Sequence, residues 1–185
     1  MVAGGAGMVF SVLVSMAAAK STIPMTCEAV FIGTSGECTL EGLWMASGTA
    51  SSEAEAQKRS RSRLSEGIEL ALQARSIQLA GTLAAAVVEQ QRAICPAAVV
   101  EQARISCFPS QELTEPKTCF ADLPVEECPA VPAVVLEGIG FKVMEKSRQQ
   151  LCEDVDDALE AAELSQAEQL SCRSRCLVES RVRCR

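Results

Sequence analysis

Ten cysteines occur in this chain of 185 residues, which contains no histidine. An even cysteine count that starts only at Cys27, after an apolar N-terminal stretch, is typical of an exported protein held together by disulfides. The lack of histidine removes the commonest general base and the commonest metal ligand. The cysteines therefore constrain the compartment and the scaffold more strongly than they constrain any reaction.

The N-terminal residues have the pattern of an export signal. Met8–Ala19 is apolar and uncharged, and Ala17 and Ala19 precede Lys20 with the small-residue spacing of a signal-peptidase site. This pattern predicts a signal peptide at residues 1–19. The alternative is a retained membrane anchor, because residues 2–19 form an uncharged stretch of about 18 residues, near the lower limit for spanning a bilayer. In both cases residues 20–185 are expected to form one cysteine-rich domain in an extracellular, periplasmic or lumenal compartment.

All ten cysteines are disulfide candidates, and the sequence does not fix their pairing. Cys172 and Cys176 stand four residues apart on one helix face, a spacing that suits disulfides to a neighbouring element. Zinc is the weaker interpretation of this pair with Cys184, because the spacings fit no standard zinc site. The candidates are Cys27, Cys38, Cys95, Cys107, Cys119, Cys128, Cys152, Cys172, Cys176 and Cys184.

A β-hairpin is predicted at the start of the domain. Cys27–Ser47 contains two β-prone segments on either side of turn-forming residues 34–37. Cys27 and Cys38 flank the first segment, so a disulfide across the hairpin is one of the open pairings.

Helices are predicted to follow the hairpin. Ser52 and Glu55 have the spacing of a capping box, and apolar residues at helical spacing predict one long helix or two shorter ones between residues 53 and 94. Gly81 is the expected point of division. The segment Ala85–Cys95 is repeated twelve residues later, and Pro96 is expected to end the helix before the second copy.

The second part of the chain predicts a loop, a strand and a helix. Residues 108–134 are rich in proline and are expected to form an ordered loop stapled by Cys119 and Cys128. Ala133–Val143 is a candidate strand, and Met144–Glu163 has the apolar spacing of a helix.

The last helix and a short internal similarity complete the expected fold. A capping-box pattern precedes a predicted C-terminal helix at 166–180. Residues 27–94 and 119–164 share one order of features: two cysteines, a strand with the sequence Leu-Glu-Gly, and a helix. The Leu-Glu-Gly glutamates are Glu41 and Glu137. These two segments are candidate related halves. The expected fold class is thus α+β and helix-dominated, with an N-terminal hairpin, long helices, disulfide staples and two related halves.

Charge and aromatic content exclude some classes of partner. The net charge is −7, and the chain has one Trp, no Tyr and five Phe, so nucleic-acid binding through cationic grooves and stacked bases is disfavoured. The acidic run from Glu153 to Glu168 fits a solvated helix face better than a calcium site or a pair of catalytic carboxylates. The arginines from Arg173 to Arg185 are candidates to pair with this face, with an acidic partner or with anionic lipid.

The sequence favours an exported, disulfide-stabilised, non-catalytic protein that acts as a binding or structural component. No catalytic, metal or cofactor residue is predicted, and a protein partner is expected. The first alternative is a membrane-tethered accessory subunit of a larger complex, anchored through residues 2–19. A more remote alternative is a small hydrolase that uses the carboxylates of Glu41 and Glu137.

Overall fold

The computed structural model of the chain describes residues 23–110, 116–123, 128–139 and 141–185. The predicted signal peptide or anchor lies outside these residues. The described chain is α+β, as expected, with four helices and two three-stranded antiparallel sheets. The elements in chain order are β1 (Met25–Ser35), β2 (Cys38–Ala50), α1 (Glu53–Gln78), α2 (Leu83–Gln102), β3 (Arg104–Pro109), β4 (Lys117–Asp122), β5 (Val134–Gly138), α3 (Phe141–Ala161), α4 (Gln166–Glu179) and β6 (Arg181–Cys184).

The same order of elements occurs twice: two strands, two helices and one strand. In the first sheet β1 lies between β2 and β3, and in the second sheet β4 lies between β5 and β6. Each closing strand carries a cysteine directly opposite a cysteine of the central strand, in the pairs Cys27–Cys107 and Cys119–Cys184. The two sheets therefore share their connectivity and the position of one disulfide.

These structural units extend further than the halves expected from the sequence. The first unit spans residues 25–109 and the second spans residues 117–184. The narrower boundary at residue 94 leaves out the end of α2 and the strand β3, and the boundary at residue 164 leaves out α4 and β6.

The first helix of each unit buries an equivalent apolar stripe. Leu64, Ile68 and Leu72 of α1 are buried against the first sheet, and Leu151, Val155 and Leu159 of α3 are buried against the second. Both stripes repeat every four residues, so they lie on one face of each helix. A fully buried serine precedes each stripe and donates a hydrogen bond to a backbone carbonyl of its own helix: Ser60 to Gln57 and Ser147 to Val143.

Glycine allows two close contacts to α1. A Cβ atom built on Gly48 of β2 would lie 2.7 Å from the backbone nitrogen of Ser60 and 2.8 Å from the carbonyl oxygen of Ala56. On another face of α1, a Cβ atom on Gly67 would overlap the side chain of Val178 in α4. Ser174 of α4 donates a hydrogen bond of 2.6 Å to the carbonyl oxygen of Gly67. The first helix of the first unit is therefore the element on which the second unit docks.

Pro96 does not end a helix, and the expectation that it would is wrong. Helix α1 ends at Gln78, Gly81 adopts a positive φ of 85° in the turn, and α2 then continues through Pro96 to Gln102. Proline within a helix costs about 3 kcal/mol. The disulfide at the preceding residue, Cys95, and the complete burial of Val99 hold α2 against the rest of the unit and offset this cost.

Several strand boundaries also differ from expectation. The predicted strand Ala133–Val143 ends at Gly138, and its C-terminal part belongs to α3, which begins at Phe141. The predicted loop at residues 108–134 contains β4 in its described part. The short strands β3 and β6 were not predicted, because each follows a helix after a single residue and pairs only with a strand distant in the chain.

Candidate functional site

All ten cysteines are paired in five disulfides. The open possibility of a Cys27–Cys38 bond is wrong, because the two cysteines pair with different elements. Besides the two cross-strand bonds, Cys38 at the start of β2 pairs with Cys95 of α2, and α4 forms two bonds from one face. These last bonds are Cys128–Cys172 and Cys152–Cys176.

One face of the first sheet is not covered by a helix along much of its length. Side chains alternate across a strand, so Ala29 and Phe31 face α1 while Val30 and Ile32 face the other way. We call the second surface the open face. The residues of the open face are Thr26, Glu28, Val30 and Ile32 of β1, Leu43, Met45, Ser47 and Thr49 of β2, and Phe108 of β3.

The open face is apolar at one end and closed at the other. At the apolar end Ile32 and Leu43, which lie opposite each other, are exposed by 65% and 64%, and Met45 is exposed by 42%. Phe108 is also 44% exposed but lies apart from them, opposite Thr26. At the other end the hydroxyl groups of Thr26 and Thr49 share a buried hydrogen bond of 3.0 Å. The result is a surface with large apolar side chains available to a ligand.

The open face forms one wall of a cleft of about 960 Å³ between the two units. The C-terminal part of α4 and the whole of β6 form the opposite wall, including Val178 and Val182. Glu28 and Glu41 lie on the sheet side of the cleft, and three arginines and Glu179 lie on the other side. These arginines are Arg175, Arg181 and Arg183.

The cleft contains two polar features at its inner surface. The hydroxyl of Ser180, between α4 and β6, is buried and has no hydrogen-bond partner among the described residues. Arg148, a residue that is only 7% exposed, also lines the cleft. Its guanidinium group donates a hydrogen bond of 2.8 Å to the hydroxyl of Ser47.

Arg148 belongs to an ion triad that joins α3 of the second unit to α1 of the first. Glu145 accepts hydrogen bonds from Arg63 at 2.5 Å and 3.3 Å, from Arg148 at 3.2 Å and from the backbone N–H of Thr49 at 2.9 Å. Arg63 also donates to the carbonyl oxygen of Ser47 at 2.8 Å. Two guanidinium groups thus share one carboxylate in a largely buried position.

The contacts within the triad shift the pKa values of Glu145 and Arg148. Burial alone would raise the pKa of Glu145, but the hydrogen bond and charge of Arg63, the charge of Arg148 and the N–H of Thr49 outweigh it and lower that pKa below 4.5. Burial and the like charge of Arg63 lower the pKa of Arg148 to about 10, although Glu145 acts in the opposite direction. At neutral pH Glu145 is therefore ionised and Arg148 is protonated.

The sequence gives little sign of this triad. Glu145 and Arg148 lie three residues apart on a predicted helix, which is a recognisable spacing for an ion pair. Arg63 is 82 residues away from Glu145, and only the docking of the two units brings them together.

The other residues considered from the sequence lie apart or in structural roles. Glu41 belongs to β2 of the first sheet and Glu137 to β5 of the second, and both are exposed. In the acidic run, Asp156 forms an ion pair of 2.7 Å with Arg173, which is the contact between acidic face and basic tail that the sequence suggested. Within the described parts of the chain, no group of three or more cysteine or carboxylate side chains is arranged to hold a metal ion.

One helix of the described residues, α2, is long and apolar enough to span a membrane by length and composition alone. The Cys38–Cys95 bond ties this helix to β2, and Val88 and Val99 are buried in the core of the first unit. Leu83, at its beginning, is 94% exposed.

Comparisons of the chain with protein-family models, with curated proteins and with solved structures found no significant match.

Proposed function

We propose that this chain is an exported, non-catalytic binding protein that holds an extended segment of a protein partner in the cleft between its two units. The observation that carries the proposal is the cleft itself, which places exposed apolar side chains of one sheet opposite an edge strand of the other. The five disulfides fit a disulfide-stabilised protein in an oxidising compartment.

The composition makes the open face unusual. This chain has one Trp, no Tyr and five Phe, so large apolar side chains are scarce. Leu43, Met45 and Phe108 nevertheless stay partly exposed on one side of the cleft. Leu43 and Met45 lie on one face with the exposed Ile32, whereas Phe108 lies apart, opposite Thr26. A contiguous exposed apolar patch such as that of Ile32, Leu43 and Met45 can mark an interaction site.

Strand β6 offers backbone groups to an extended partner. It is an edge strand that pairs only with β4, and all four of its residues, Arg181–Cys184, line the cleft. An edge strand can bind another strand through main-chain hydrogen bonds, while pockets beside it select the side chains. A segment added to β6 would place alternate side chains against the open face.

The charges of the walls support a polypeptide rather than a purely apolar ligand. The lining of the cleft includes Glu28 and Glu41 on one wall and Arg181, Arg183 and Glu179 on the other, so the cleft contains charges of both signs. A segment with apolar residues and charges of both signs would complement both.

Selection from a displayed library of linear peptides tests this function. We expect enriched peptides to bind the oxidised protein and to lose affinity for a Leu43→Glu variant, because the new charge would lie in the apolar part of the cleft. Leu83→Glu is the matched control, since Leu83 is an exposed leucine outside the cleft. The proposal fails if no peptide is enriched, or if both variants bind the enriched peptides as the unchanged protein does.

Export rests on the predicted cleavage after Ala19. Sequencing of the N-terminus of the secreted protein should give a chain that starts at Lys20. Retention of residues 2–19 would favour the membrane-tethered accessory subunit instead. Alkylation of the native protein without reduction should add no mass, and labelling of several thiols would contradict a disulfide-stapled scaffold.

A further inference from the structure

A second depression, of about 610 Å³, lies where α1 meets α3, and we call it the basic groove. Its lining includes five cationic side chains and three carboxylates, in a chain whose net charge is −7. The cations are Arg59, Arg63, Lys142, Lys146 and Arg148. Arg148 also lines the cleft described above, so the two depressions share one wall.

Two of the three carboxylates of the basic groove form ion pairs, and the third, Glu153, accepts a hydrogen bond from Gln149, whereas two of the cations form no ion pair. Asp156 pairs with Arg173 outside the groove, and Glu145 is shared between two arginines. Neither Lys142 nor Lys146 forms an ion pair with any residue that the structure describes. The five cations of the groove therefore outnumber its three carboxylates, and the groove keeps an excess of positive charge.

The position of α3 adds to this charge. Helix α3 has 21 residues and no acidic residue in its first turn, and Phe141 and Lys142 of that turn line the groove. The N-terminal end of a helix carries partial positive charge and favours anions. The Arg63–Glu145–Arg148 triad below it contributes one further unbalanced positive charge in a largely buried setting.

We propose that the basic groove is a binding site for a phosphate-type oxyanion carrying two or more negative charges. The two lysines would contact the anion directly, and the partly buried guanidinium groups would form the cationic base of the site. This site is separate from the proposed peptide-binding role of the cleft, and either can fail without the other. A free phosphate compound and the headgroup of an anionic phospholipid offer the same chemistry.

Calorimetric titration of the oxidised protein with inorganic pyrophosphate at low ionic strength tests the site. We expect binding that weakens as salt is added, because Lys142 and Lys146 are exposed to solvent. A Lys142→Gln/Lys146→Gln variant should bind about 5- to 10-fold more weakly, since each lysine acts as an exposed ionic contact. The matched control, Lys58→Gln/Lys117→Gln, removes the same charge from lysines that do not line the groove.

The outcomes separate the site from general electrostatic attraction. Equal losses in the two double variants, or no pyrophosphate binding by the unchanged protein, would overturn the proposal. Co-sedimentation with phosphatidic acid vesicles, compared with phosphatidylcholine vesicles, then identifies the source. Vesicle binding that is lost in the Lys142→Gln/Lys146→Gln variant assigns a lipid headgroup, and pyrophosphate binding without vesicle binding assigns a free anion.

Discussion

The carboxylate of Glu145 is expected to be the most sensitive single group at the junction of the two units. Its side chain is 13% exposed and accepts four hydrogen bonds, three of them from the guanidinium groups of Arg63 and Arg148. In a Glu145→Gln variant the amide oxygen can still accept a hydrogen bond, but the amide nitrogen would face a guanidinium donor. Loss of about two charge-assisted hydrogen bonds, at roughly 1.5 kcal/mol each, lowers the free energy of unfolding by about 3 kcal/mol.

The pH dependence of this loss follows from the lowered pKa of Glu145. The folded pKa lies below the ordinary value of 4.5, so the carboxylate stabilises the fold fully above that value. This contribution disappears as the pH falls through the folded pKa, because the protonated acid resembles the glutamine amide. The difference in unfolding free energy between the unchanged protein and Glu145→Gln is therefore greatest at neutral pH and closes in acid.

Urea unfolding of both proteins across this pH range, with disulfides intact, measures the difference. Glu55→Gln is the matched control, because Glu55 forms an exposed ion pair with Arg59 and should contribute at most about 1 kcal/mol. A Glu145→Gln effect no larger than that of the control would refute the role assigned to the triad. If Glu145→Gln lowers the free energy of unfolding by the same large amount at neutral and at acidic pH, the charge of Glu145 is not the cause of the loss.

Three further changes test the packing of the units, each by urea unfolding of the oxidised protein. Gly48→Ala should lower the free energy of unfolding by about 3 kcal/mol, because the new Cβ atom meets the backbone of α1. The control Gly42→Ala should lower it by only about 1 kcal/mol, because Gly42 has a φ of 87° but open space around it. Equal losses would contradict the close contact at Gly48. Pro96→Ala should raise the free energy of unfolding by about 1–3 kcal/mol, since it restores a helical N–H donor, and a loss would show that the ring packs favourably. Cys152→Ser/Cys176→Ser should keep the fold but lose about 3 kcal/mol, from the loop of 24 residues that the bond closes, and an unchanged midpoint would contradict this.

Helices were predictable from the sequence where local signals agree. Ser165 and Glu168 form a complete capping box at the start of α4, and Ser52 caps α1 by accepting a hydrogen bond from the N–H of Glu55. The apolar stripes of α1 and α3 carry the helical period, and each is buried in one of the two cores. Caps and periodicity are properties of neighbouring residues, so a single sequence contains them.

Strands and site residues that depend on distant partners were not predictable in the same way. The strand β3 is six residues long and follows α2 after one residue, and its pairing with β1 is reinforced by Cys107 and its partner Cys27. The triad and the cleft arise from the docking of the second unit on α1. No local pattern shows which face of α1 receives α4. From the sequence alone Gly67 is a weak point in a helix, and only the structure shows that Val178 occupies the space beside it.

The disulfide Cys152–Cys176, which joins α3 to α4, has no counterpart between α1 and α2 of the first unit. The residues at the equivalent positions of α1 and α2 explain how that pair of helices is held together without a disulfide. Ser65 is the equivalent of Cys152, because each follows the first leucine of its buried stripe, Leu64 or Leu151. Val99 is the equivalent of Cys176, because each stands four residues after a cysteine of its helix, Cys95 or Cys172. In the first unit the Ser65 hydroxyl donates a hydrogen bond of 3.0 Å to the carbonyl oxygen of Pro96, and Val99 is fully buried between the helices. Helix α4, unlike α2, must also pack against α1 of the other unit through Ser174 and Val178. A covalent bond on one face of α4 fixes its distance from α3 and leaves its other face available for the interface that creates the cleft.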